Sequence, residues 1–117
     1  MQLKIVFMGT PEFSLPTLKI LKDSKHKIIC VYTRSPKKKS RGQKIIKTPV
    51  HIFSEKEGIQ VRTSQLKDEK EYEDFMGLSP DLVIVAAYGQ IIPDNYLKNS
   101  KLVFLNVHAS LLPKLRG

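Results

Sequence analysis

Apolar residues along the chain fall into five short runs, separated by stretches with helical spacing. Residues 3–8, 28–33, 82–86 and 102–107 read as strands, and residues 59–62 as a weaker one. Residues 28–33 and 82–86 are nearly continuous and rich in Val and Ile. Strands buried on both faces have this pattern, and parallel sheets covered by helices are their usual setting. Between the runs, residues 15–23 place Leu15, Leu18 and Leu21 on one helical face, with Ser14 as cap and Pro16 in the first turn, where a missing N–H costs little. Thr48 and Pro49 have the chemistry of a cap and a first helical position, and Gly58 can end that helix. Asp68 and Glu71 have capping-box spacing ahead of a stripe of Tyr72, Phe75 and Met76. Residues 93–97 allow a short helical turn at best. Strands alternating with helices predict right-handed βαβ units, hence an α/β fold with a Rossmann-like open parallel sheet and flanking helices. No helix follows the fifth strand, which would leave apolar surface or a free edge uncovered. The chain is therefore expected to be the N-terminal part of a domain, incomplete at its C-terminal end.

Composition adds limits. A length of 117 residues fits one domain or part of one. Hydrophobic residues at 41% and charged residues at 26% allow a packed core and exclude a wholly disordered chain. The longest apolar run, residues 82–87, is far shorter than the roughly 20 residues of a spanning helix. No membrane segment and no secretory signal are expected. The lone Cys30 rules out an internal disulfide and a cysteine-based zinc site, and fits a reducing cytoplasm. No histidine or carboxylate cluster has metal-ligand spacing, so no metal is expected. The net charge of +9 is unevenly spread. Residues 1–54 hold twelve Lys or Arg and two acids, whereas residues 55–117 hold eight and nine. The basic half suggests a polyanion partner, although exposed lysines alone produce the same count.

Three segments sit where such a fold carries chemistry. Gly9-Thr10-Pro11 follows the first strand, and ligands of open α/β sheets bind at the carboxyl ends of strands. Gly9 there permits either a tight turn or close approach of a ligand. The remaining glycines of a dinucleotide fingerprint are missing, and so is a Walker sequence. The second segment, residues 34–47, has seven basic residues in fourteen and no acid, with Pro36, Ser40 and Gly42 disfavouring regular structure. It reads as a mobile cationic loop, longer than a routine βα connection, which is either a solvated surface or a contact to phosphates. The third is NVHASLLPKLRG at residues 106–117. Asn106 and His108 are two apart at a strand end and share a side. They form either a satisfied polar pair or an amide donor beside an imidazole, suited to acyl chemistry.

Taken together, GTPEF at residues 9–13, the basic stretch running into Thr48-Pro49-Val50, AAYGQIIP at residues 86–93 and the NVHASLLPKLRG motif resemble the folate-dependent formyltransferases. The opening and the basic insert resemble the methionyl-tRNA branch of that group. The resemblance covers the whole chain in order. It implies a formyltransferase-type catalytic domain, of which residues 1–117 form the N-terminal part and 34–48 a basic insert. It implies transfer of a formyl group from 10-formyltetrahydrofolate to the amino group of methionyl-initiator tRNA, in translation initiation. It assigns catalysis to Asn106 and His108, and folate contact to Tyr88, Gly89, Ile91, Ser110, Leu111, Leu112 and Pro113. Contact with tRNA falls to Lys37, Lys38, Lys39, Arg41, Gly42 and Lys44. A monomeric cytoplasmic enzyme without metal is implied. A third catalytic group of the family, an aspartate beyond the Arg-Gly pair, has no counterpart here, so activity of these residues alone is not expected. The alternatives are another folate-dependent formyltransferase or hydrolase, a non-catalytic basic RNA-binding fragment, and a remnant that does not fold stably.

Overall fold

The fold is built around β1 (Lys4–Gly9), whose Ile5, Val6, Phe7 and Met8 are all buried. The computed structural model describes residues 1–39 and 44–107, Lys39 by its backbone alone. Side chains of a strand alternate between faces, and those of β1 separate two cores. Ile5 and Phe7 join Leu18, Val31, Val50, Ile84 and Ala86 on one side of the sheet. Val6 and Met8 join Cys30, Tyr32, Leu66, Phe75, Val83, Tyr88 and Tyr96 on the other. The first core is covered by α1 (Leu15–Asp23) and α2 (Pro49–Lys56), the second by α3 (Glu69–Leu78) and the single-turn α4 (Asp94–Leu97).

The strands paired with β1 are β2 (Lys27–Tyr32) and β6 (Leu82–Ala86), both parallel to it. β5 (Val61–Arg62) extends the sheet beyond β2, and β7 (Phe104–Asn106) extends it beyond β6. The order is β5-β2-β1-β6-β7, all parallel. The expected α/β, Rossmann-like sheet with flanking helices is thus the observed one. The chain leaves β1 toward β2 and later returns to the other side of β1, so the topological switch lies between β1 and β6. A crevice opens at such a point, outside the carboxyl ends of the strands. A bulge in β2 pairs Ile5 with Ile28 but Val6 with Cys30, and both Ile29 and Cys30 then face the α3 side.

Several local readings change. Ser14 precedes α1 without a side-chain cap bond; a single 3-10 turn (Glu12–Ser14) comes first, and the Ser14 hydroxyl donates to the carbonyl of Ala86 instead. Asp68 stands at the start of α3 but makes no side-chain cap either, and Glu71 is drawn inward rather than back to the helix end. Thr48 does cap α2, accepting from the His51 N–H at 3.1 Å, and Gly58 takes the left-handed conformation just past that helix. Residues 34–47 do not form an irregular loop throughout. β3 (Lys37–Lys39) and β4 (Lys44–Ile46) pair antiparallel in a separate two-stranded sheet, with Lys37 opposite Ile46 and Lys38 opposite Ile45. Pro36 stands before β3 rather than inside it, and β-branched Ile45 and Ile46 favour extended backbone. The expected apolar surface is present among the described residues: Val103, Leu105 and Val107, alternating along the β7 segment, are each more than one-third exposed.

Candidate functional site

Three adjoining crevices run along the carboxyl edge of the sheet. The first, about 390 Å³, lies between the hairpin and the start of α2, lined by Thr10, Arg34, Lys37, Lys38, Lys47 and Thr48 among others. The second, about 570 Å³, shares Arg34 and Ser35 with the first and adds Thr63, Gln65, Lys67, Gly89, Gln90 and Ile91. The third, about 330 Å³, shares Gln90 with the second and is bounded by Val85, Ile92, Leu97, Phe104, Leu105 and Asn106. A mouth lined by cationic side chains thus adjoins a mixed crevice and then one that combines apolar side chains with two amides, Gln90 and Asn106.

The cationic mouth follows from the charge pattern. Arg34 ends the β2 segment at the sheet edge, and the hairpin brings Lys37 and Lys38 beside it. Neither Arg34 nor these lysines enters an ion pair among the described residues, whereas Lys47 bonds Glu55 at 2.8 Å. That bond holds the Glu55 carboxyl below its ordinary range. Cations grouped without acids repel each other and attract an anion. The capped N-terminus of α2 adds its partial positive charge at the same wall.

The turn after β6 divides the edge. Ala87 and Gly89 both have positive φ, 58° and 88°. For alanine that conformation costs roughly 1–3 kcal/mol and persists only where the surroundings hold it. Here two hydroxyls from the β1–α1 connection hold it. Ser14 Oγ donates to the Ala86 carbonyl at 2.5 Å, and Thr10 Oγ1 to the Tyr88 carbonyl at 2.7 Å. Gly9 lies against the same strand end, where a Cβ would stand 2.9 Å from the Ala86 carbonyl oxygen and 2.7 Å from the Phe7 ring. Its lack of a side chain serves close packing of β1 on β6. At Gly89 an added Cβ would meet Arg34 at 3.2 Å, so the arginine packs against the turn.

The residues singled out in the sequence fall unevenly on this edge. Lys37 and Lys38 line the first crevice, Gly89 and Ile91 the second, and Asn106 the third. Lys44 is exposed on β4, and Lys39 lies on β3 opposite it in register. The Tyr88 side chain turns into the α3-side core and is 2% exposed, its hydroxyl pairing with no described group and its pKa pushed up by burial. His108, Ser110, Leu111, Leu112, Pro113, Arg41 and Gly42 lie outside the described residues. Thr10, Arg34 and Gln90 belong to segments that the sequence marks, but the sequence assigns none of the three a role of its own. Position in the fold signals them, since each follows the end of a parallel strand by one to four residues.

Just before the Thr63, Gln65 and Lys67 lining of the second crevice, Arg62 anchors an ionic cluster around the buried Glu71. Arg62, at the end of β5, bonds Glu71 through Nε at 2.9 Å and Nη2 at 3.0 Å, and reaches Asp74 at 2.7 Å. The Tyr32 hydroxyl donates to Glu71 at 2.5 Å. Burial and the Glu71 carboxylate both push the Tyr32 hydroxyl up. Burial also lifts the nearby Cys30 thiol to about 12. The cluster fixes α3 against the sheet and so supports the residue 63–67 connection that lines the crevice. Among the described residues no group of three or more His, Cys, Asp or Glu is placed to hold a metal, and no helix is long and apolar enough to cross a membrane.

Known proteins carry the same pattern. The family model described as formyl transferase matches residues 3–117. The chain is 56% identical over 116 residues to the methionyl-tRNA formyltransferase of Pelagibacter ubique, covering 97% of the chain and 37% of that protein. It is 48% identical to that of Paramagnetospirillum magneticum and 47% to that of Ehrlichia chaffeensis, over 98% of the chain and 38% and 39% of those proteins. It spans less than two-fifths of the length of these relatives. The parallel sheet, the crevices at its carboxyl edge and a match over residues 3–117 agree: the chain belongs to the formyl transferase family.

Proposed function

We propose that this chain provides the N-terminal part of the active site of a methionyl-tRNA formyltransferase, which passes a formyl group from 10-formyltetrahydrofolate to the amino group of methionyl-initiator tRNA. The observation that carries this reading is the continuity of the edge: a mouth lined by cationic side chains, a passage beside Arg34 and an uncharged crevice reaching Asn106 share Arg34, Ser35 and Gln90 at their borders. The names of the relatives supply the acceptor and the reaction.

The third crevice suits the donor. Its walls combine apolar side chains with two side-chain amides and no charged group, and amides pair with the edge of a flat heterocycle without bringing charge. The donor supplies the formyl group. Asn106 lies at the end of β7, in register with Val85, and its amide would donate to the formyl oxygen as the acceptor amine attacks. His108, two residues on, would handle the proton of the amine or of the leaving nitrogen. Lys37 and Lys38, with Lys39, Arg41, Gly42 and Lys44 of the same insert, would take the phosphates of the RNA. Gly89, Ile91 and the Tyr88 backbone border the donor side, and residues 110–113 would complete it.

The test is formyl transfer to charged initiator tRNA by the complete protein that carries this chain. Asn106→Ala is expected to lower kcat by about 10²–10³, the effect of one lost oxyanion donor, and His108→Ala to act in the same direction. Turnover near the parent level in both variants would remove the assignment. Unchanged transfer to charged tRNA after Lys37 and Lys38 are replaced with Ser would remove the RNA contact assigned to the insert, and a parent protein that does not formylate charged tRNA would favour another acceptor.

A further inference from the structure

We infer that Thr10 is a positioning residue shared by the two substrate sides, because one hydroxyl ties the start of the basic insert to the turn bordering the donor crevice. The inference rests on the proposed reaction. Thr10 follows Gly9 at the end of β1, on the switch between β1 and β6. Its Oγ1 donates its proton to the Tyr88 carbonyl at 2.7 Å and accepts the Arg34 N–H at 3.4 Å. Donor and acceptor capacities of the oxygen are thus both used. Each partner stands at a border. Arg34 and Ser35 line both the first crevice and the second, and the turn that carries the Tyr88 carbonyl continues through Gly89, which lines the second, to Gln90, which lines the second and the third.

The turn that carries the Tyr88 carbonyl holds a strained residue, Ala87, which gives the hydroxyl something to hold. Ala87 and Gly89 flank Tyr88 with positive φ. Without the Thr10 bond the Tyr88 carbonyl loses its described partner, and the turn is free to relax toward ordinary dihedrals. Ser14 anchors Ala86, one residue before the strain begins, and its hydroxyl is spent on that carbonyl. The packing of Arg34 against Gly89 closes the triangle. A change at Thr10 is therefore felt on both sides.

The experiment compares Thr10→Val with Thr10→Ser in the complete protein, measuring KM and kcat for each substrate together with thermal unfolding. Valine keeps the shape and removes the hydroxyl, and serine keeps the hydroxyl. Thr10→Val is expected to raise KM for both the formyl donor and the charged tRNA by roughly three- to tenfold, the scale of one or two lost hydrogen bonds. Thr10→Ser is expected to stay within about twofold of the parent for both. Equal losses in Val and Ser, or a change confined to one substrate, would overturn the inference. Should Thr10→Val unfold, Thr10→Ala against Thr10→Ser makes the same comparison of hydroxyl against none. A parent protein that does not formylate charged tRNA at all would refute the proposed function instead, which separates the two failures.

Discussion

β1 and the β3–β4 hairpin are both extended chain, yet they are held in opposite ways. Four consecutive side chains of β1 are buried, two in each core, and the strand is paired on both edges. The hairpin pairs only with itself, and its two isoleucines, Ile45 and Ile46, are 64% and 44% exposed. An isolated two-stranded ribbon is marginal in water, since it buries too little to offset the ordering of its backbone. The lesson is a division of labour along one short sequence. The centre of the sheet supplies stability, and the insert presents charge at its carboxyl edge, where an anionic partner can contribute the ordering that the core does not.

That contrast can be broken by mutation. Phe7→Ala is expected to cost about 3–5 kcal/mol, the range for truncating a buried aromatic, whereas Ile46→Ala should stay within about 0.5 kcal/mol, as for surface positions. Chemical denaturation of both variants measures the difference, and comparable losses would show the hairpin to be part of the core. Glu71→Ala should cost about 3 kcal/mol, because it leaves Arg62 without its bidentate partner and the Tyr32 hydroxyl without its acceptor. A loss as small as that of Ile46→Ala would mean that the cluster adds nothing to the attachment of α3.

The smallest effect concerns alkaline pH. The folded Cys30 thiol is raised to about 12 by burial, and the Tyr32, Tyr88 and Tyr96 hydroxyls are raised as well. In the unfolded chain these groups ionise at their ordinary values, near 9 for the thiol and 10 for the phenols. The unfolded state then binds fewer protons than the folded one, so stability falls as pH rises through the window from 9 to 12. Below pH 9 no such loss arises from these groups. Denaturation midpoints at pH 8 and pH 10.5 should decline in that order, and Cys30 should resist alkylation at pH 8 until the protein unfolds. Rapid labelling of the native thiol would contradict its place in the core.

The ease of reading the sequence followed the same division. The stripes Leu15-Leu18-Leu21 and Tyr72-Phe75-Met76 do face the two cores, and the Thr48-Pro49 start of α2 stands as expected. Periodicity reports such positions because burial of one face is a local, repeating demand. Readings that depended on a single polar side chain were less secure. Ser14 and Glu71 have the chemistry of helix caps, but each has a stronger partner outside its helix, the Ala86 carbonyl far along the chain for one and the Arg62 guanidinium on the neighbouring strand for the other. Local spacing cannot rank a helix N–H against a group seventy residues away.

What the sequence determined by itself is the order of elements, the parallel sheet, the basic character of the insert and the motif that carries Asn106, since each follows from patterns within a few residues. What tertiary structure decided is which of those residues meet. The strand order places Gly9 and Thr10 against Ala86 and Tyr88, and the hairpin sets Lys37 and Lys38 beside Arg34. These meetings depend on contacts between residues far apart in the chain, and such contacts form only when the two cores close on both faces of β1.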